Sequence, residues 1–443
     1  MRIDVSTVID ESRLGRFQML IVLLCGFVTI IDGFDLVSMG LVVPSLSAEW
    51  ELPPSAFAPA LSAALVGVLF GSAAAGSMGD IIGRRWTLII MLLIAAVFMG
   101  LTGFASSMTE LIIYRFCTGF GAGGSIPVAI ALTAEYMPAR RRNMLVALMY
   151  AGAALGSVIA GFAGPALIDL AGWQGVFYLG AVLTGVAAVL LMLALPESIR
   201  FLVAKRTEAE RALKLLRRID PRIRIGPDTE FVVHEETHRG AAVRELFGGS
   251  QTAITLVVWL IFFGNQFTIF FVGLWLPTVF IEGGLNLQAA LFVLAIYNMG
   301  GAVGGPLLGW FCDRRTAQRV LIVSYPLAGL AIGAIGLALD YKPILAPVAF
   351  IGGLAAIGSS FCLGALTASL YPTRARSTGV GWALSIGRAG SIIAPLIGGV
   401  VLAWGAKGFF LTAALAPLIC AVGIALLIPL TRVHAEPGYA KAT

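Results

Sequence analysis

Most of this chain is written in apolar windows too long for the core of a soluble domain. They fall near 19–43, 57–78, 86–106, 109–134, 144–167, 174–195, 252–280, 289–311, 319–338, 344–368, 378–403 and 408–430. Each reaches the roughly 20 residues a helix needs to cross a bilayer hydrocarbon core. Backbone inside lipid must satisfy its own hydrogen bonds, and continuous apolar runs do so as α-helices. With 58% hydrophobic and only 12% charged residues in 443, the composition excludes a soluble protein. The expected fold is an all-α membrane protein with twelve transmembrane helices.

Basic residues set the orientation. With the first helix starting inside, all but four of the 30 lysines and arginines fall on cytoplasmic segments. The exceptions are Lys342 and Lys407 in outer loops and Arg115 and Arg388 within windows. This asymmetry is the positive-inside rule and predicts a plasma (inner) membrane protein with both termini cytoplasmic. The formal net charge of +6 is then membrane topology and no sign of nucleic-acid binding. The N-terminus mixes acids with bases and no small-residue cleavage site follows, so the first helix is expected to stay. Five cysteines, at 25, 117, 312, 362 and 420, show no CxxC or loop-closing spacing. Neither disulfides nor a metal site is expected from them, and no cofactor is implied.

The sequence repeats itself. Gly79-Asp80-Ile81-Ile82-Gly83-Arg84-Arg85, after the second window, is matched by Gly309-Trp310-Phe311-Cys312-Asp313-Arg314-Arg315 after the eighth. Pro138, Arg140 and Arg142, after the fourth, are matched at one constant offset by Pro372, Arg374 and Arg376. Two independent matches at nearly one spacing predict two homologous six-helix halves, 1–195 and 251–443, a parallel repeat. A polar segment, 196–250, joins them. Within it Leu202, Ala209, Ala212, Leu213 and Leu216 share a helix face with bases around it. That pattern fits a helix on the inner membrane surface or a linker with a solvated charged face. From Pro221 to Arg239 no period is sustained, which predicts loop. Glycines crowd the windows, where small residues let helices approach closely.

Charges inside the windows mark function. Asp32 and Asp35 lie in the first window, and an aspartate at mid-helix costs roughly 2.5 to 3.5 kcal/mol on insertion scales. Spaced i and i+3, they share one helix face. Counting from window ends, Asp35 lies about 12 Å and Arg115 about 9 Å from the outer edge, so Asp32 or Asp35 can pair with Arg115. Protonating the aspartate would free the arginine, which is how such a pair couples to a proton. Glu135 ends the fourth window. Arg388 lies roughly 15 Å deep with no acid at its depth in its half. A guanidinium fork takes a carboxylate bidentately, so an anionic substrate is its expected partner. Asn265, Gln266, Phe270, Tyr297, Asn298 and Trp382 are the candidates to complete that site.

The loop Gly79 to Arg85 resembles the signature loop of the major facilitator superfamily, with Ile81 where an arginine is usual. In that family the loop holds the cytoplasmic side closed, which assigns gating to Asp80, Gly83, Arg84 and Arg85 and to Asp313, Arg314 and Arg376. The run Arg115 to Gly123 resembles the family's RxxxGxGxG proton-coupling motif. PESIRFL in the linker belongs to the superfamily likeness, and DGFD in the first window, RFCTGFGAGGSIP and AEYMPARRR around the fourth and YPTRARSTGVGWALSIGRAGS through the eleventh together resemble the aromatic acid:proton symporter family. The resemblance implies import of benzoate-like or hydroxybenzoate-like acids with protons, through Asp32, Asp35, Arg115 and Glu135, by a monomer in the lipid bilayer. Transport of another organic anion, or a non-transporting membrane sensor, keeps the same helices. A membrane-embedded enzyme is disfavoured: His234, His238 and His434 all lie outside the windows, with no HExxH spacing.

Overall fold

The computed structural model describes residues 2–204, 209–219, 230–232, 246–248, 251–314, 316–339, 341–371 and 376–435. The short strand β1 (Arg2–Asp4) precedes α1 (Val5–Glu11). Next come α2 (Arg16–Trp50), α3 (Ala58–Ile82), α4 (Arg84–Thr102), α5 (Met108–Tyr136), α6 (Arg142–Tyr150) and α7 (Gly152–Ala194). The linker region holds α8 (Ile199–Ala204), α9 (Ala209–Ile219) and β2 (Glu230–Val232). The remainder is α10 (Gln251–Glu282), α11 (Leu287–Arg314), α12 (Ala317–Leu337), α13 (Lys342–Leu370), α14 (Arg376–Val401) and α15 (Gly405–Ala435).

Among the described residues, 10 helical segments are long and apolar enough to cross a membrane, and two of them hold two expected windows each. The first, Met144–Ala194, is broken at Ala171 (φ −138°) and Gly172 (φ 66°). Gly172 sits in the left-handed region, where a glycine meets no steric penalty. The second, Thr378–Leu430, is broken by the 3-10 turn Leu402–Trp404 and by Gly405 at φ 71°. Counting each as a pair gives the twelve expected crossings. Several helix ends depart from the windows by a few residues, and the largest departure is α2, which runs on to Trp50, past Pro44.

The chain forms two compact units. The first comprises Met1–Leu36, Ala63–Ser157 and Leu170–Thr237. Its core packs Val28 and Ile31 of α2, Leu88 and Leu92 of α4, Ala129 and Leu132 of α5 and Ala188 and Leu191 of α7. At the crossing of α3 and α5, Gly67, Gly71, Gly119 and Gly123 face backbone atoms of the opposite helix so closely that any Cβ would collide. In lipid, where no hydrophobic drive exists between helices, such backbone contact supplies the packing. The linker's α9 belongs to this unit. Its Leu216 and Ile219 are buried in the same core as Leu202 of α8 and Ile9 of α1. Its apolar face therefore rests on protein, while Arg211, Lys214, Arg217 and Arg218 form an exposed charged face. The segment expected to be loop includes Glu230–Val232, which pairs in parallel with Arg2–Asp4; the rest of it lies outside the described residues.

The second unit comprises Val37–Ser62, Val158–Asp169 and His238–Thr443. Here α10 packs on α14 and α15, α11 on α13, and α12 on α13 and α15. The end of α2 takes part: Gly40 lies against the Leu274 backbone of α10. Ser62 Oγ of α3 donates to the Ile392 carbonyl of α14 at 2.9 Å. Rings stack from Phe263 to Phe267 to Phe271 along α10 and onto Phe409 of α15, with centroids 6.2, 5.1 and 4.5 Å apart.

Candidate functional site

The first unit contains a buried ion pair. From α5, Arg115 Nη1 donates to Asp35 Oδ1 of α2 at 2.7 Å, and Nη2 reaches Oδ2 at 3.5 Å. Arg115 is 1% exposed and Asp35 7%, so water does little to screen them. The guanidinium also lies 5.6 Å from the Phe177 ring centroid of α7, a cation–π contact. Asp32, one turn earlier on α2, is half-buried. Asp32 and Asp35 border one small cavity, together with Thr118 and Ser125 of α5 and Thr184 of α7. Of the two pairings the sequence left open, the structure makes the one with Asp35. The helix itself runs on to Trp50, beyond the apolar window from which the depth was counted.

Glu135 lies elsewhere. Twenty residues along α5 place it about 30 Å from Arg115, and it forms an ion pair with Arg84 at the start of α4. Ser198 Oγ donates to Glu135 Oε2 at 2.5 Å. Beside it, Glu197 Oε1 accepts from the backbone N–H groups of Arg85 at 3.0 Å and Ser198 at 2.9 Å. Tyr136 Oη donates to the Glu197 carbonyl at 2.5 Å, and Arg85 Nη2 to the Met192 carbonyl at 2.5 Å. Gly83, at φ 95°, makes the turn that brings Arg84 and Arg85 in. Asp80 is exposed and makes no ion pair among the described residues. A further pair, Arg142 with Asp10 of α1, ties the start of α6 to the N-terminal helix.

In the second unit, Arg388 of α14 is half-buried and has no ion pair among the described residues. One residue before it, Gly387 lies against Gln266 of α10, whose Cγ would be 3.1 Å from an added Cβ. Tyr297 and Asn298 of α11 are 0% and 8% exposed, and Tyr297 Oη and Asn298 Nδ2 are buried with no hydrogen-bond partner among the described residues. Buried donors of that kind are costly unless something accepts from them. Asn265 differs: its Nδ2 donates to the Ala356 carbonyl at 3.2 Å and its Oδ1 accepts from Ser360 at 2.7 Å. Both ends of its amide are thus engaged with α13. Phe270 is half-buried. Trp382 stacks on Trp259 at 5.7 Å with 23° between planes. Arg314 places its guanidinium 3.7 Å over the Trp310 ring. Arg376 begins α14, and Asp313 is in the last turn of α11. Among the described residues no cluster of His, Cys, Asp and Glu could hold a metal ion.

Residues 25–363 match the family model of the Major Facilitator Superfamily. The chain belongs to that superfamily. It is 37% identical to a gallate transporter of Pseudomonas putida, over 91% of this chain and 90% of that protein. It is 34% identical to the 4-hydroxybenzoate transporter PcaK of Pseudomonas aeruginosa, over 99% and 98%. A benzoate transport protein of Acinetobacter baylyi is 33% identical over 90% and 87%. Among solved structures, the xylose transporter XylE from E. coli, in a partially occluded inward open conformation, superposes with TM-score 0.71. At 18% identity, covering 94% of this chain and 98% of that one, that likeness concerns the fold.

Within this facilitator, sequence reasoning missed the hydroxyls beside the aspartates and the role of Glu197 and Ser198. Ser125 and the two threonines lie in apolar windows, where a hydroxyl bonded to its own helix looks the same whether or not it lines a cavity. Glu197 and Ser198 were visible only as part of PESIRFL, with no clue to their partners.

Proposed function

We propose that this facilitator is a secondary transporter, and no enzyme, that imports an aromatic carboxylate together with at least one proton. The observation that carries the coupling is the Asp35–Arg115 pair, buried in the first unit with Asp32 one turn away. The substrate class comes from end-to-end similarity to proteins named as gallate, 4-hydroxybenzoate and benzoate transporters.

In this reading a proton arriving from outside neutralises Asp32 or Asp35 and loosens Arg115. The substrate carboxylate docks on the Arg388 fork, with Tyr297, Asn298 and Gln266 as hydrogen-bonding neighbours and Phe270 and Trp382 as apolar surface. Asn265 contributes through its hold on α13. The halves 1–195 and 251–443, joined by the 196–250 linker, then rock to open inward. Glu135, paired with Arg84, belongs to the inner gate of Asp80, Gly83, Arg84, Arg85, Asp313, Arg314 and Arg376, with both termini cytoplasmic. The protein acts as a monomer in the inner membrane.

The test is uptake of radiolabelled 4-hydroxybenzoate, gallate and benzoate into proteoliposomes under an inside-alkaline pH gradient. Accumulation of at least one acid, abolished by a protonophore, is expected. Accumulation indifferent to the protonophore removes proton coupling, and no uptake of any aromatic acid removes the substrate class.

A further inference from the structure

Helix α9 turns two unlike faces in opposite directions. Leu216 and Ile219 are buried with Leu202 and Ile9, whereas Arg211, Lys214, Arg217 and Arg218 are exposed. At 3.6 residues per turn the four bases fall within an arc of about 120°, opposite Leu216 and Ile219. Like charges three and four residues apart on one face repel each other. The helix, AERALKLLRRI, holds a single acid against them. Lys214, Arg217 and Arg218 form no ion pair among the described residues, so negative charge from outside the helix would relieve this face.

Height in the membrane narrows its source. The Arg218 guanidinium lies 5.6 Å from the Phe17 ring centroid, and Phe17 packs edge-on to Tyr136 at 6.0 Å. Phe17 is the second residue of α2 and Tyr136 the last of α5, so Arg218 stands at the rim where two spanning helices end. Phe17 precedes the first apolar window by two residues, about 3 Å of helix. The headgroup layer is about 5–8 Å deep on each side of the hydrocarbon core, which puts the Arg218 end of α9 level with it. An exposed row of cations draws a small solute only weakly, because salt screens each charge. An extended negative surface engages the whole row, and each base near an anionic leaflet strengthens attachment by about fivefold.

We infer that the basic face of α9 is a docking surface for the headgroups of anionic phospholipids, which hold the linker helix at the rim of the first unit. The apolar face, which would insert into lipid in an ordinary surface helix, is turned the other way, so the contact is electrostatic. That these are lipids of the inner leaflet rests on the orientation proposed above.

Photo-crosslinking of the full-length protein in nanodiscs tests the surface. A nanodisc carries the same lipids on both faces, so the result does not depend on orientation. A benzoylphenylalanine in place of Leu213, half-buried beside the basic arc, is irradiated in equal parts phosphatidylglycerol and phosphatidylcholine, and the lipid adducts are identified by mass. Phosphatidylglycerol adducts should exceed phosphatidylcholine adducts by about fivefold or more. The exposed pair Lys214→Gln/Arg217→Gln should bring the ratio close to one without lowering the melting temperature; Arg218 is left in place because it packs on Phe17. Raising ionic strength from 0.1 M to 1 M, which cuts the Debye length from about 10 Å to about 3 Å, should do the same. The crosslinker in place of Leu215, on the other border of the arc, repeats the measurement if the first variant misfolds. Equal adducts of the two lipids in the wild type, or no lipid adduct at either position, would make this a solvated face and overturn the inference. An excess that survives Lys214→Gln/Arg217→Gln would move the attraction to other bases. An excess abolished by inorganic phosphate at constant ionic strength would make it a site for free anions instead.

Discussion

Replacing Asp35 by asparagine keeps the shape of the side chain and one acceptor for Arg115 Nη1, and removes the charge. Arg115 is then a cation 1% exposed with its counter-ion gone. Removing one partner of a buried ion pair costs about 3–5 kcal/mol, because the other charge stays in a low-dielectric setting. At roughly 2 °C per kcal/mol for a body of a couple of hundred residues, the melting temperature should fall by about 6–10 °C. Arg115→Gln removes the guanidinium from the buried aspartate and should cost a similar amount. The double variant Asp35→Asn/Arg115→Gln holds two neutral amides within hydrogen-bond reach, and should recover on the order of 2–3 kcal/mol relative to the sum of the singles. Thermal unfolding in detergent, followed by tryptophan fluorescence, reads this cycle. Proteoliposome uptake should show the single Asp35→Asn variant exchanging substrate while failing to accumulate it against a pH gradient. A double variant that melts at the sum of the single losses would refute the coupled pair. Full pH-driven accumulation by Asp35→Asn would refute its role in coupling.

Arg388→Lys keeps the charge and loses the planar fork, so affinity for the aromatic acid should fall about ten- to a hundredfold, with Arg388→Ala worse; equal affinity by direct binding would move the anion site elsewhere. Gly83→Ala forces a side chain onto φ 95° and brings a Cβ within 2.8 Å of Glu197 Cδ and 2.9 Å of Phe201 Cε1. A loss of about 1–3 kcal/mol is expected from the backbone alone, and an unchanged melting temperature would show that the turn tolerates rearrangement. Ser198→Ala removes a hydrogen bond to an ionised group and should cost roughly 1.5–3 kcal/mol, whereas the exposed Asp80→Asn should stay within about 0.5 kcal/mol by the same melting assay. If Asp80 nonetheless gates, Asp80→Asn should raise cysteine labelling of inner-side pore positions, and unchanged labelling would reduce the loop to a topology signal.

The helices were legible because membrane insertion writes itself into consecutive residues: a window such as 109–134 needs no partner to be recognised. Asp35 and Arg115 were legible for the same reason in reverse, since a charge inside such a window demands an explanation within the protein. What was hidden depends on neighbours. Pro44 and the polar residues after it ended the apolar window at Val43, yet α2 continues to Trp50, since a proline costs a helix one hydrogen bond and a neighbour can compensate. Glu135 was grouped with Arg115 as a charge of the same window although it lies about 30 Å away, and only the fold shows that Arg84 and Ser198 claim it. The apolar face of α9 looked the same whether destined for lipid or for Ile9 and Leu202.

The two charged ends of α5 explain how a local protonation could move a helix. One end is held by Asp35 through Arg115, the other by Arg84 and Ser198 through Glu135. Between them Gly119 and Gly123 lie on the backbone of α3, and Gly121 on that of α4. A face without side chains offers no knobs that must unlock before two helices slide, so the ion pairs at the two ends add an anchor along the axis that this packing does not supply. A proton can shift such an equilibrium only by the difference in its affinity for the two states. Asp35 supplies that difference, because in the paired state binding a proton costs the ion pair and in an unpaired state it does not. In the proton-coupled function proposed above, protonation would release the Arg115 end and leave the Glu135 end held, so that a charge change at one carboxylate would move the helix about its far anchor.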